Sequence, residues 1–249
     1  MSSQSSDQRI LIDKALQLHK EGKLQEAIRS YSELLDKDKN NSQLLFLLGT
    51  ALIQIKDFKK GIDYLKKSLS LKSNNASAYS NLGNAYKELL QYEEALKNYD
   101  EAIKINPNFA DAFSNRGIIL QEMKRFDEAL KSYNRALEIK PDHFFALNNK
   151  GITLKDLNRY SEALESYDKA IEINPSFIEP YNNKGNIFKD IKQYDKALEN
   201  FQKIMNLNPE YNYNLGKVLH TSMFLSEWKN FDILNKKIDD AIKKGLCAI

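Results

Sequence analysis

The sequence predicts an all-α fold built from repeated antiparallel helix pairs, and three observations carry that prediction. Residues of the same type return every 34 positions along most of the chain. Within each period, apolar residues recur at i, i+3, i+4 and i+7, which is the spacing of one face of an α-helix. Glycine and proline are scarce, with 9 and 5 among 249 residues, and this scarcity disfavours many-turned β-sandwiches and barrels.

Four residue series share the 34-residue step. Small residues on facing helices allow the two backbones to approach closely, and each proline ends a period because it cannot continue a helix. The series consist of Gly49, Gly83, Gly117, Gly151 and Gly185; of Ala95, Ala129, Ala163 and Ala197; of Tyr99, Tyr133, Tyr167 and Phe201; and of Pro107, Pro141, Pro175 and Pro209. In the second period, Gly61 and Leu65 stand at the alanine and aromatic positions.

This pattern resembles the tetratricopeptide repeat (TPR) family, in which a Gly-containing first helix is followed by Ala, an aromatic residue and Ala on a second helix, and then by Pro. Residues 76–109 show it best, with NLGNAY at 81–86 and EEALKNYDEAIKINP at 93–107. One helix pair cannot bury both of its faces, so successive units must stack. The resemblance implies a right-handed α-solenoid (a TPR superhelix) whose first helices line the concave side.

The predicted organisation has three parts. A disordered tail is expected at residues 1–7, and a seventh partial unit with capping or junction helices is expected at 212–249. Between them, six units fit in register, at 8–41, 42–75, 76–109, 110–143, 144–177 and 178–211.

Asparagine repeats on the first helices, where Asn81, Asn115, Asn149 and Asn183 each stand two residues before the glycine. The resemblance implies that this region faces the concave groove. A primary amide both donates and accepts hydrogen bonds, so a row of amides could hold the main chain of an extended peptide. Two alternatives remain: asparagine could recur simply with the duplicated repeat, or it could bridge neighbouring helices. The candidate groove residues are Asn81, Asn84, Asn115, Asn149, Asn183, Asn186 and Asn214.

The early units lack the asparagine and offer apolar residues instead. Ile12, Leu16, Phe46 and Ile53 predict an apolar patch near the N-terminus, which would be a partner site or a contact that makes a homo-oligomer. Packing of these side chains on neighbouring helices is an equally favoured alternative. The position three residues before the glycine carries no basic residue, which disfavours the clamp that some TPR proteins use for chaperone carboxylates.

Residues 212–249 resemble the junction that follows the repeats in O-linked N-acetylglucosamine transferase-like proteins. The resemblance rests on Asn-Leu-Gly at 214–216, Trp228 and Phe-Asp at 231–232, with Glu227 where that family usually has Asp. It implies that this chain is the substrate-recognition part of a glycosyltransferase-like protein, without the catalytic domain. Alternatively, the segment caps the repeats of a stand-alone TPR scaffold or assembly factor.

Composition argues for a protein or peptide partner rather than for catalysis. The single cysteine and scattered histidines provide no zinc motif, and no phosphate-binding loop or nucleophile motif occurs. We therefore expect no enzyme activity, no cofactor and no metal. Near-neutral charge with 31 lysines against 6 arginines disfavours nucleic acid. The absence of a long apolar run disfavours a membrane span, and the polar start favours a cytoplasmic protein.

Overall fold

A computed structural model of the chain describes residues 3–208, 213–225 and 236, and in this part of the chain it contains 13 α-helices and no strand. The predicted all-α repeat fold is therefore confirmed. The helices are α1 (Ser3–Lys20), α2 (Leu24–Lys37), α3 (Ser42–Gln54), α4 (Phe58–Leu71), α5 (Ala76–Glu88), α6 (Tyr92–Ile105), α7 (Ala110–Glu122), α8 (Phe126–Ile139), α9 (Phe144–Asp156), α10 (Tyr160–Ile173), α11 (Ile178–Asp190), α12 (Tyr194–Leu207) and α13 (Tyr213–Phe224).

The helices form two compact units, residues 1–125 and 126–249. In the first unit, α1 packs on α2, α3 on α4 and α5 on α6, while the first helices α3, α5 and α7 contact one another in sequence. In the second unit, α9 packs on α10 and α11 on α12, and α9 also contacts α11. Each unit thus places first helices side by side, which brings their repeated side chains within reach of one another.

At several of the repeated glycines, the aromatic ring of a second helix packs directly on the backbone of a first helix. A Cβ added at Gly83 would lie 2.6 Å from Cε1 of Tyr99, and one added at Gly185 would lie 2.4 Å from Cε1 of Phe201. Real Cβ atoms essentially never approach so closely, so a larger residue would displace the ring. The glycine and aromatic series therefore form one type of contact, which recurs at Gly83, Gly151 and Gly185.

The second period solves the same packing problem differently. Gly49 and Gly61 face each other, and a Cβ on Gly61 would lie 3.0 Å from the Gly49 carbonyl oxygen. Leu65 replaces the aromatic ring and would lie 2.9 Å from a Cβ on Gly49. Two glycines and a leucine thus fill the space that one glycine, an alanine and a tyrosine fill elsewhere.

The turns between first and second helices share a left-handed residue. Leu90, for example, has φ of 57°, its N–H donates to the Lys87 carbonyl oxygen, and the N–H of Gln91 donates to that of Tyr86. These two hydrogen bonds form a Schellman motif, which satisfies the last carbonyls of the helix. The equivalent left-handed positions are Gly22, Lys56, Leu90, Lys124, Asn158 and Lys192.

Candidate peptide-binding site

In the first unit, the predicted asparagines connect the first helices of successive repeats. Asn81 Nδ2 donates to Thr50 Oγ1 at 2.9 Å and so joins α5 to α3. Asn115 Nδ2 donates to Asn84 Oδ1 at 3.2 Å and joins α7 to α5. In both bonds the donor stands two residues before a glycine and the acceptor one residue after the preceding glycine. The bridging alternative is thus what the structure shows for these residues.

Asn84 is the centre of this network because its Oδ1 also accepts a hydrogen bond of 2.7 Å from the Tyr99 hydroxyl. This bond ties α6 to the first helices. Within the described residues, Asn84 Nδ2 has no acceptor, and neither Asn81 Oδ1 nor Asn115 Oδ1 has a donor. The internal bonds therefore hold the amides in fixed orientations and leave one polar group of each available.

In the second unit, the asparagines pair in a different register. Asn183 Nδ2 donates to Asn148 Oδ1 at 3.1 Å and joins α11 to α9, while Asn148 Nδ2 lies 3.3 Å from Asn149 Oδ1. The shift has a simple cause: the residue one after the glycine in this repeat is Ile152, whose side chain cannot accept a hydrogen bond. Asn183 therefore bonds to Asn148, which is buried.

The last two predicted residues differ from the others. Asn186 is half-buried on α11 and forms no side-chain hydrogen bond within the described part of the chain. Asn214 lies near the start of α13, and its side chain is outside the described residues. Trp228 and the Phe-Asp pair at 231–232, on which the junction resemblance rests, are also outside them.

The apolar residue Ile152 also explains a buried hydroxyl without a partner. The Tyr167 hydroxyl finds no acceptor among the described residues, whereas the equivalent Tyr99 hydroxyl bonds to Asn84. Burial raises the pKa of both tyrosines, with a smaller contribution from the Glu88 carboxylate at Tyr99 and from Asp156 at Tyr167. Both hydroxyls therefore keep their protons well above physiological pH.

The residues of the expected N-terminal apolar patch are half-buried, and most of them pack against the core clusters. Ile12 packs against the cluster that contains Tyr31 and Leu48, and Phe46 and Ile53 pack against the next cluster. The exposed apolar side chains in this region are instead those of Ile10 and Leu11, which are 63% and 45% accessible. Helical phase decides the difference, because Ile12 and Leu11 stand about 100° apart around α1.

The described residues contain no group of three or more His, Cys, Asp or Glu side chains that could hold a metal ion. None of the helices in this part of the chain is long and apolar enough to span a bilayer.

Family models agree with the repeat geometry. Models described as tetratricopeptide repeat match residues 18–85, residues 108–176, and the two segments 76–109 and 178–211. The chain belongs to the tetratricopeptide repeat family. No curated protein matches this TPR chain.

Solved TPR structures share the fold. The chain is similar to MamA, with 28% identity and a TM-score of 0.59 over 65% of this chain and 94% of MamA. It is also similar to YrrB, described as a TPR protein with an unusual peptide-binding site, with 22% identity and a TM-score of 0.59 over 75% and 96% of the two chains. The pilF protein of Pseudomonas aeruginosa reaches a TM-score of 0.73 at 19% identity, over 84% and 95%. At these identities, YrrB and pilF support the fold alone.

Proposed function

We propose that this TPR protein is a non-catalytic interaction scaffold that holds an extended segment of a partner protein along its first helices. The observation that carries the proposal is the arrangement of Asn81, Asn84 and Asn115. Their mutual hydrogen bonds fix the amides and leave Asn84 Nδ2 and the Oδ1 atoms of the other two without partners in the described residues. An extended main chain offers N–H and C=O groups in alternation, and these can pair with such acceptors and donors.

Fixing the amides in advance favours binding. A peptide that meets a mobile side chain must order it, at a cost of about 0.5–1.5 kcal/mol per immobilised group. Asn84 avoids most of that cost because Tyr99 and Asn115 already hold its Oδ1. The free Nδ2 of Asn84 would then contribute a hydrogen bond worth about 0.5–1.5 kcal/mol. Because these contacts go to the main chain of the peptide, they do not depend on a particular peptide sequence.

The structure of YrrB, described as a TPR protein with an unusual peptide-binding site, shows that this fold is compatible with peptide binding. MamA, the more similar of the two in sequence, has the same repeat architecture. Both are similar to this chain over most of their own length, so the comparison concerns whole repeat arrays.

The experiment must separate peptide contact from helix bridging, and Asn84→Asp does so. Aspartate keeps the oxygen that accepts from Tyr99 and Asn115 but replaces the free donor with a second acceptor. A partner is first isolated with the wild-type chain as bait, and its extended segment is then titrated against both proteins. We expect Asn84→Asp to weaken binding about ten-fold, equivalent to about 1.4 kcal/mol, with a nearly unchanged melting temperature.

Two further variants complete the test. Asn186→Ala should weaken peptide binding without destabilising the fold, because Asn186 has no internal hydrogen bond in the described residues. Asn74→Ala, in the exposed loop between α4 and α5, is the matched control and should bind like wild type. If Asn84→Asp and Asn186→Ala both bind as tightly as the control, the asparagines serve only to hold the helices together and the proposal is wrong.

A finer proposal follows from the sequence of residues 212–249. Its support is the Asn-Leu-Gly, Trp228 and Phe-Asp pattern, which resembles the junction of O-linked N-acetylglucosamine transferase-like proteins. In that case the peptide held by the asparagines is a glycosylation substrate that is presented to a catalytic domain outside these residues. A transferase domain in the reading frame that follows would support this role, and a stop codon directly after Ile249 would leave the stand-alone scaffold.

A further inference from the structure

A second repeated feature lies directly before the glycines of three successive first helices. Arg116, Lys150 and Lys184 occupy this position on α7, α9 and α11. The residue 16 positions earlier, on the preceding second helix, is Asp100, Asn134 and Asp168 respectively. The sequence therefore places a carboxylate opposite the outer two cations and an amide opposite Lys150.

The structure shows what the carboxylates do. Arg116 Nε donates to Asp100 Oδ1 at 2.7 Å in the first unit. Lys184 and Asp168 form an ion pair at the equivalent place in the second unit. Both cations are largely covered, because their side chains are only 24% and 16% accessible. This position in the repeat thus has the geometry of a cation that binds a carboxylate.

Lys150 is in the same environment without that carboxylate. It is half-buried, and it forms no ion pair with any described residue. Burial lowers the pKa of Lys150, and the nearby Lys169 ammonium lowers it further. Together these two effects outweigh Glu162 and Glu165, which raise the pKa. A partly buried ammonium without a direct ion-pair partner is unfavourable, so a carboxylate placed beside it would be stabilised.

Lys150 lines an open cleft of about 590 Å³ between α8 and α10, with α9 as its floor. Asn134 and Lys169 also line it, and Leu137, Leu147 and Leu154 provide apolar walls. An equivalent cleft of about 630 Å³ lies one repeat further along, and there Lys184 is already paired with Asp168. The shape of the cleft is thus a property of the repeat. The cleft at Lys150 differs from the cleft at Lys184 because its lysine has no ion-pair partner among the described residues.

The charged side chains around the cleft favour the binding of one anion. Glu138 is paired with Arg135 at 2.8 Å. Glu162 accepts two hydrogen bonds from Arg159, at 2.7 and 2.6 Å. Lys150 and Lys169 then face Glu165, a third lining glutamate. This balance suits a single negative charge, and the three glutamates disfavour a doubly charged phosphate group.

We infer that the cleft above Lys150 is a second binding site, which accepts the carboxylate of an aspartate or glutamate side chain from a partner protein. The carboxylate takes the place that Asp100 and Asp168 hold in the neighbouring repeats, bonds to Lys150 Nζ and accepts from the Asn134 amide. The methylene groups of the side chain lie on the leucines of the cleft. This site goes beyond the proposed function, because it opens between second helices rather than along the asparagines of the first helices.

Asn134→Asp is the decisive variant, because it supplies the missing carboxylate from within the chain. The full chain is tested on an array of extended peptides with randomised flanks and a fixed central Asp, Glu, Asn, Gln or phosphoserine. Wild type should retain the Asp and Glu peptides about ten-fold better than their amide counterparts, as expected for one charge-assisted hydrogen bond. Asn134→Asp and Lys150→Met should both abolish this preference.

Three results would overturn the inference: no carboxylate preference in wild type, a preference that survives in Asn134→Asp, or stronger retention of the phosphoserine peptides. Asn186→Ala distinguishes this inference from the proposed function, since it should lower retention of all peptides and leave the carboxylate preference intact. NMR titration of the Lys150 side chain gives a readout that needs no peptide. Its pKa should rise in Asn134→Asp because the new carboxylate favours the charged amine, and an unchanged pKa would contradict the geometry.

Discussion

The hydroxyl groups of Tyr99 and Tyr167 provide a matched pair for testing the hydrogen-bond network. Both rings are fully buried at the same position of the repeat. The Tyr99 hydroxyl donates to Asn84 at 2.7 Å, while the Tyr167 hydroxyl has no partner in the described residues. Removing each hydroxyl by substitution with phenylalanine should therefore have opposite effects on stability.

The magnitudes follow from the two environments. Tyr99→Phe removes one hydrogen bond, but Asn84 Oδ1 still accepts from Asn115, so the loss should be about 1 kcal/mol. Tyr167→Phe removes a buried hydroxyl whose desolvation nothing offsets, and it should stabilise the protein by roughly 1 kcal/mol. Phe201, one repeat further along, shows that phenylalanine fits this position against a glycine.

Thermal and urea denaturation followed by circular dichroism measure the difference. The two variants should differ by about 2 kcal/mol, which corresponds to about 4–8 °C in melting temperature for a chain of this size. Equal destabilisation of both variants would mean that Tyr167 has a hydrogen-bond partner in solution. Equal stabilisation would mean that the Tyr99–Asn84 bond contributes nothing, and the orientation of Asn84 would then lack its main support.

Three further predictions concern turns, pH and the Lys150 cleft. Leu90 is 71% accessible with φ of 57°, so Leu90→Gly should raise the free energy of unfolding, measured by urea denaturation, by about 0.5–1 kcal/mol. Asn158→Gly should gain less because asparagine tolerates this conformation, and a loss of stability in Leu90→Gly would contradict the left-handed turn. Burial raises the pKa of Tyr31 to about 12, above its value of about 10 in unfolded chains. The stability that follows from this shift is complete below pH about 10 and is lost as the pH rises towards 12. Wild type should therefore lose more stability than Tyr31→Phe between pH 9 and about 12, and parallel curves of stability against pH would refute this. Asn134→Asp should stabilise the fold by about 0.5–1 kcal/mol through a partly exposed ion pair with Lys150, and a lower melting temperature would show that the carboxylate does not fit.

The glycine and aromatic contacts could be predicted from the sequence because both partners lie in one helix pair. The glycine and the aromatic residue are 16 positions apart in the four repeats from residue 76 onwards, as at Gly83 and Tyr99, so helical phase and one short turn bring them together. The all-α fold follows from the same periodicity. The left-handed turn residues could not be predicted in the same way, because Lys56, Leu90 and Lys124 are not glycines. At this repeat position only Gly22 is a glycine.

The hydrogen-bond partners of the asparagines could not be predicted from the repeat alone. The acceptor belongs to a neighbouring repeat and changes with its sequence, from Thr50 and Asn84 in the first unit to Asn148 in the second. Ile152 stands at the repeat position of Asn84 and cannot accept a hydrogen bond, so Asn183 bonds to Asn148 instead. Predicting that Lys150 is unpaired likewise requires a comparison between repeats, because Asn134 stands at the repeat position where Asp100 and Asp168 provide a carboxylate.

The proposed function requires that the fixed asparagine amides contact a bound extended peptide. NMR of the side-chain amide groups in the full chain, before and after saturation with a captured partner segment, tests it most directly. We expect the Nδ2 protons of Asn84 and Asn186 to shift strongly, and those of Asn81 and Asn115 to shift less because their internal bonds persist. The signals of Asn74 should be unaffected. Unchanged Asn84 and Asn186 signals at saturation, with shifts confined to second helices, would contradict it.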